Sequence, residues 1–129
     1  MFSVFMILAI NLIAKNGKYG MINMHSWMFL SSFEKLRKTI LNNQQIDNLL
    51  HLGPRTFDEL SGEVVQNAAF IITKTHSNGF GIYFRLVDGK NCADKEHMFL
   101  YASNLTRYIT QTFHKRTLKR FLDVRLVIG

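Results

Sequence analysis

Five histidines, at 25, 51, 76, 97 and 114, and a single cysteine, Cys92, are the chain's candidate metal donors. They show no paired ligand spacing, so no metal centre is expected. Gly79-Phe80-Gly81 reads as a turn, because a phosphate loop would need a strand before it and a helix after it. No Ser-His-Asp arrangement for acyl transfer stands out. What remains is an aromatic and basic set: His25 and Trp27, Arg55 and Phe57, and Lys74. Such rings can line a pocket for a flat base, and a guanidinium or ammonium can meet a phosphate. Each also has a plainer role, with Trp27 capping a core, Phe57 folding back onto one and His25 solvated.

These residues follow segments with the signature of strands. Residues 18–24 are a short apolar run of strand length, and His25-Ser26-Trp27 come directly after it. A second strand is expected over 46–52. The loop Gly53–Gly62 then carries Arg55 and Phe57, with a helical turn near Phe57. A third covers 64–73, with Ala68, Phe70 and Ile72 on one face and Lys74 just beyond. Ser77–Gly81 contains Asn-Gly and reads as a hairpin-type turn into a strand over 81–87.

Three helices are expected. Residues 2–15 are apolar nearly all round, which implies packing on both sides. Lys15-Asn16-Gly17 would close that helix with a cation in its last turn and a glycine at positive φ. Residues 32–42 place Phe33, Leu36 and Ile40 on one face and Glu34, Lys35 and Lys38 outside, with a Ser31–Glu34 capping box. A third helix covers 93–104. The order helix, strand, helix, strand, loop, strand, strand implies an α/β sheet with an antiparallel edge. So small a unit cannot cover both faces of such a sheet, so a missing partner on the N-terminal side is expected. Val4, Ile7, Leu8 and Leu12 would then be left uncovered, an aggregation-prone patch.

The totals set bounds. The 129 residues suffice for one domain, and 47% apolar content supplies a core. The net charge of +7 favours an anionic partner, nucleic acid first and an acidic membrane surface second. One cysteine excludes a disulfide scaffold and fits a reduced, cytoplasmic setting. The first fourteen residues, MFSVFMILAINLIA, lack a positive n-region and are broken by Asn11. They are also shorter than the roughly 20 residues a bilayer needs, so no membrane partner is expected. A small basic nucleic-acid-binding module, gripping through Arg55, Lys74 and the basic tail, is the alternative reading. A membrane-anchored peptide rests on the N-terminal run alone.

Two stretches carry a resemblance. NGKYGMINMHSWMFLSSFEKLR (16–37) and HLGPRTFDELSGEVVQNAAFII (51–72), followed by IYFRLVD (82–88), are similar to the adenine-specific DNA methyltransferases of BREX-type phage defence (PglX-like). More broadly they resemble the N6-adenine methylases of type II restriction-modification enzymes. The similarity spans about residues 2–104. It implies a partial Rossmann-like, S-adenosylmethionine-dependent methyltransferase fold. Residues 18–24 would be the fifth strand, and 46–52 and 64–73 the antiparallel sixth and seventh.

By the same resemblance, helix 2–15 follows the Asn-Pro-Pro-Tyr motif that holds the target amino group. That group is a poor nucleophile until the base is flipped out and the motif accepts its hydrogens. The chain's only proline is Pro54, so the motif is not encoded in it. The cofactor loop is absent as well. The resemblance thus implies a piece of a site-specific DNA-methyltransferase (adenine-specific), inactive alone, with no catalytic or cofactor-binding residues of its own. A complementing N-terminal fragment is the candidate protein partner, and S-adenosylmethionine and DNA are those of the parent enzyme. His25, Trp27, Arg55, Phe57 and Lys74 would lie near DNA or the target base. Where relatives often end the seventh strand on an aromatic, this chain has Thr73-Lys74-Thr75.

Residues 1–104 are therefore expected to form the partial domain, and 105–129 an irregular tail. From Phe113 the tail leaves the family pattern. On permissible codons a two-nucleotide skip reads SQKDFKKILGCPIGYW, a segment of the kind relatives carry at this point. A frameshift would account for it, and the nucleotide sequence of the gene decides the matter. In that case Lys115, Arg116, Lys119, Arg120 and Arg125 are accidental, and the charge argument for nucleic acid weakens.

Overall fold

The architecture is that of a computed structural model, described over residues 1–58, 65–76 and 81–108. Residues 77–80 of the expected turn, the second half of the loop after Pro54 and the tail from 109 lie outside these residues. The elements run α1 (Phe2–Leu12), β1 (Lys18–Met24), two short 3-10 turns (His25–Met28 and Ser31–Phe33), α2 (Glu34–Asn43), β2 (Gln45–Gly53), β3 (Asn67–Thr73), β4 (Ile82–Arg85) and α3 (Cys92–Tyr108). α3 continues past the boundary expected at 104.

The strands form one sheet in the order β1-β3-β2-β4. β3 is antiparallel to both β1 and β2, and β4 runs parallel to β2. β1 and β2 are therefore parallel to each other, joined over one sheet face by α2. The fold class is α/β as expected, but the antiparallel strand lies one place in from the edge. The hairpin expected between the third and fourth strands does not pair: β4 adds to β2, aligning Asn48–His51 with Ile82–Arg85. An Asn-Gly turn is a local preference, whereas the open side of β2 offers a full row of backbone partners.

One face of the sheet carries the core. Tyr19 of β1, Ile46 and Leu49 of β2, and Ala68, Phe70 and Ile72 of β3 meet Met6, Trp27, Met28, Leu36 and Ile40 from the helices and turns. The two-residue alternation of Ala68, Phe70 and Ile72 is the one read from the sequence. In β2 it slips by one at Asp47 and again near Leu52, where the pairing with β3 is irregular. At the first slip the Asp47 carboxylate accepts from Lys18 Nζ and from Thr73 Oγ1 (2.6 Å), tying three strands together. On the other face α3 covers the β4 side, with Phe99 edge-on to Phe84 at 5.2 Å between centroids. A shallow depression of 370 Å³ lies mid-strand on that face, lined by Gly20, Ile22, Leu50 and Ala69 among others, away from the strand ends.

Several local expectations give way. α1 buries Met6 alone and packs on one side, with Val4, Ile7, Leu8 and Leu12 exposed as anticipated for a helix lacking its partner. The helix ends at Leu12, before Lys15, and the positive φ falls on Asn16 (64°) rather than on Gly17. Gly17 is required for closeness instead, since a Cβ there would sit 2.9 Å from the Ala14 carbonyl oxygen. The capping box does not form: Phe33 occupies the N-cap of α2 without a side-chain bond. Ser31 is drawn into a 3-10 turn, and Glu34 pairs with Lys38 at 2.6 Å. The described residues around Phe57 form bends and a turn, with no helix.

Gly53 ends β2 at φ 69°, where a Cβ would meet Val87 Cγ1 at 2.9 Å. Both the left-handed backbone and the contact penalise a side chain. Gly53→Ala should destabilise the chain by about 2 kcal/mol, read as a lower urea midpoint at unchanged slope.

Candidate functional site at the carboxyl edge of the sheet

In open α/β sheets the carboxyl ends of the parallel strands border the ligand crevice. Here Met24, the end of β1, aligns with Asn67 of β3, which aligns with Gly53, the end of β2. His25, His51, Arg55, Phe57 and the end of β4 therefore share one edge. Lys74 does not. It follows the far end of β3, where its Nζ donates to the Ile13 carbonyl oxygen (2.9 Å) and its backbone exchanges hydrogen bonds with Asn16 and Gly17. There it secures the connection from α1 to β1, away from the other four residues.

Three rings meet at the carboxyl edge. His25 is half-buried and its backbone N–H donates to the Gln66 carbonyl oxygen at 2.8 Å, pinning the end of β1 to the start of β3. Its Nδ1 lies 2.8 Å from Nε2 of fully buried His51. One of these nitrogens must carry a proton and the other accept it, so the bond does not survive protonation of both. Phe29 closes the cluster, its ring centroid 5.1 Å from His25 and 5.4 Å from His51. Trp27 is not part of this surface. It is 1% exposed and stacks edge-on against Phe70 at 5.3 Å, so of its two roles the core one holds.

The turn that presents His25 and Phe29 is held from below by Arg37. Its buried guanidinium donates from Nη1 to the carbonyl oxygens of Trp27 (2.8 Å) and Leu30 (2.6 Å). A short helical turn leaves its last carbonyls without partners, and a cation is well suited to satisfy them.

After Gly53 the chain turns out of the sheet through Arg55, at φ 56°, to half-exposed Phe57. Thr56 Oγ1 donates to the Gly53 carbonyl oxygen (2.9 Å), and Asp58 accepts from the Cys92 N–H (3.2 Å) at the start of α3. Beneath this loop lies Lys95, 4% exposed, whose Nζ donates to the carbonyl oxygens of Leu52 (2.7 Å) and Leu86 (2.9 Å). It joins the end of β2 to the segment after β4. Burial first, then the nearby Arg55 cation, pushes its pKa below the ordinary 10.5. Between the folded and unfolded values the unfolded chain binds more protons, so this group makes stability rise with pH in that window. Lys95→Met should remove that slope below pH 10.5. It should also cost about 2 kcal/mol at neutral pH, because two carbonyls lose their donor. Unfolding by urea across pH checks both effects.

Of the five residues singled out from the sequence, His25, Arg55 and Phe57 lie at this edge, Trp27 is in the core and Lys74 is at the far end of β3; His51, Phe29, Arg37 and Lys95 were missed. Arg37 could have been found, since it sits between Leu36 and Ile40 on the inward side of its helix. His51 could not, because its face depends on the slip at Asp47. Among the described residues no group of three or more His, Cys, Asp or Glu could hold a metal ion. No described helix is long and apolar enough to cross a membrane.

Known proteins resemble this chain in sequence and in fold. A profile of the Eco57I restriction-modification methylase family matches residues 1–57. An adenine-specific methyltransferase PglX from Lacticaseibacillus casei is 46% identical over 103 residues, 79% of this chain and 8% of its own length. An adenine-specific methyltransferase BrxX from Escherichia coli is 40% identical over 117 residues, 90% of this chain and 10% of its own. A putative class I S-adenosylmethionine-dependent methyltransferase from Listeria monocytogenes superposes with a TM-score of 0.53 at 16% identity, covering 75% of this chain and 30% of that one. The last likeness shows the fold alone, a partial Rossmann-like α/β fold. Spanning a tenth or less of the relatives it matches, with their pattern across most of its length, the chain belongs to the family of PglX- and BrxX-type adenine-specific methyltransferases.

Proposed function

We propose that this chain is part of the catalytic domain of a site-specific DNA-methyltransferase (adenine-specific), working in phage defence or restriction-modification in the cytoplasm. The domain moves a methyl group from S-adenosylmethionine to adenine N6, and this chain supplies one wall of the target-base site. The observation that carries the reading is the carboxyl edge. There the His25–Phe29–His51 cluster, Arg55 and Phe57 lie together. The N-terminus of α1 ends at the same edge, with Phe2 against Phe33 at 5.4 Å. The loop that the resemblance places before α1, bearing the Asn-Pro-Pro-Tyr motif, would thus open beside these residues.

The residues have separate tasks. Phe57, carried out on its loop, contacts the extruded base, and Arg55 beside it meets a DNA phosphate. The ring cluster shapes the pocket floor, and Arg37 is a positioning residue for the turn that bears His25 and Phe29. The cofactor does not fit this chain. Its strand–glycine–helix connection, from β4 through Gly89 to α3, is filled by Lys95, whose Cγ would lie 2.6 Å from a Cβ at 89. Binding S-adenosylmethionine therefore falls to the rest of the domain, supplied in the same polypeptide or by a complementing N-terminal piece. Residues 1–108, to the end of α3, belong to the methyltransferase part, and the tail changes frame upstream of Phe113.

The test is a chimaera in which residues 1–104 replace the matched stretch of the Lacticaseibacillus casei relative. Phe57→Ala in that chimaera should lower adenine methylation about tenfold or more, with Arg55→Gln raising KM for DNA and steepening no salt dependence. Methylation unchanged by Phe57→Ala would remove the loop from the site.

A further inference from the structure

The contact between His25 and His51 fixes more than the place of two rings. Nδ1 of His25 lies 2.8 Å from Nε2 of His51, and His51 is wholly buried. In the neutral pair one proton sits between these nitrogens, and its position sets the tautomer of His25. If His51 Nε2 donates, His25 accepts at Nδ1 and carries its own proton on Nε2. If His25 Nδ1 donates instead, its Nε2 is a bare acceptor. The buried ring thus decides whether His25 offers an N–H or a lone pair at its other nitrogen.

Other contacts hold the His25 imidazole in one orientation. Phe29 meets it edge-on, 5.1 Å between centroids and 86° between planes. The His25 backbone is tied to the Gln66 carbonyl oxygen, and Arg37 fastens the turn that carries both rings. The ring is half-buried and stands at the carboxyl edge, where the ends of β1 and β2 align with Asn67. A ring bound at one nitrogen to a buried partner, on a turn held by a buried cation, has its hydrogen-bonding direction set before any ligand arrives.

The chemistry of the base chooses between the tautomers. An extruded base is read on its Watson–Crick edge. On adenine that edge carries the amino hydrogens and, beside them, the ring nitrogen N1, an acceptor. The Asn-Pro-Pro-Tyr motif takes the hydrogens, so N1 is the group still to be met. A bare Nε2 on His25 would oppose its lone pair, whereas an N–H binds it. We propose that His25 is a specificity-determining residue that donates from Nε2 to N1 of the target adenine. His51 is then the positioning residue that holds His25 in the donor tautomer. Guanine carries a hydrogen on its N1, so the same fixed donor repels it. This role deepens the methyltransferase reading and rests on it.

The experiment uses the chimaera and duplex oligonucleotides that carry 1-deazaadenine, with C–H in place of N1, at the target position. Methylation is measured in single turnover. The unaltered chimaera should methylate the analogue about tenfold or more slowly than adenine, because a placed donor loses its acceptor. His25→Phe should be slower on adenine and should no longer distinguish the two bases beyond their own reactivity. Dividing one ratio of rates by the other cancels that reactivity. His25→Gln can bring an N–H to the same place and should recover part of the discrimination. 7-Deazaadenine keeps N1, so its relative rate should be the same with and without His25. Equal rates for adenine and 1-deazaadenine in the unaltered chimaera need no substitution to read and would overturn the proposal. So would discrimination that persists in His25→Phe. Either result leaves the enzyme reading in place, whereas a chimaera that methylates neither base removes both.

Discussion

Replacing Trp27 with alanine should cost the chain about 3–5 kcal/mol. The indole is almost wholly buried, edge-on to Phe70, and lies between the turn after β1 and the sheet. Its Nε1 has no hydrogen-bond partner among the described residues, so Trp27→Phe gives up area but no polar contact and should cost much less. Against a total of roughly 5–15 kcal/mol for an intact domain, that is a large share of the stability, so the alanine variant should melt at a much lower temperature. Urea unfolding followed by far-ultraviolet circular dichroism measures both variants. A loss below about 1 kcal/mol for Trp27→Ala would place the indole in an accessible pocket instead of the core.

The second large effect is expected at Arg37. Exchanging it for methionine keeps much of the aliphatic length and removes the two charge-assisted bonds to the Trp27 and Leu30 carbonyls. The penalty should be about 3 kcal/mol. It should also be local: amides of His25–Leu30 should exchange faster while those of β2 and β3 keep their order of protection. Arg37→Lys can still bring an ammonium to the carbonyls and should recover part of the loss. In the chimaera, Arg37→Met should lower kcat for methylation more than it raises KM, as expected for a residue that positions His25 and Phe29. Because Trp27 and Arg37 act on one turn, their effects should not add.

Much of the fold was legible because local rules agreed with the tertiary outcome. Residues 18–24 are a strand as read, and the even spacing of Ala68, Phe70 and Ile72 marks the buried face of β3. The outward stripe of α1 followed from noticing that so short an α/β unit cannot cover its own sheet. The antiparallel pairing of β2 with β3 is the one expected for residues 46–52 and 64–73, but the place of β4 was not legible. Asn78-Gly79 argues for a hairpin, yet β4 lies beside β2, and nothing within a few residues of β4 announces that distant partner. Helix ends were misread for a related reason: Asn16 and Gly17 both suit a turn, and tertiary contact with Lys74 decides where the turn falls.

The candidate site was legible as an edge and not as a set of contacts. Position after a strand was enough to single out His25, Arg55 and Phe57. Lys74 follows a strand too, but an antiparallel one, so it emerges at the opposite edge. The His25–His51 contact joins residues 26 apart in sequence and depends on the slip in β2, which no spacing rule detects.

The most direct measurement is N6-methyladenine in DNA from cells that carry the methyltransferase-deficient relative complemented by the chimaera, quantified by mass spectrometry. If residues 1–104 form a competent wall of the base site, modified adenine should return to within about tenfold of the level that the unaltered relative gives, and a chimaera with the same residues in scrambled order should give none. A chimaera that is soluble, binds S-adenosylmethionine and yet leaves adenine unmodified would contradict the assignment.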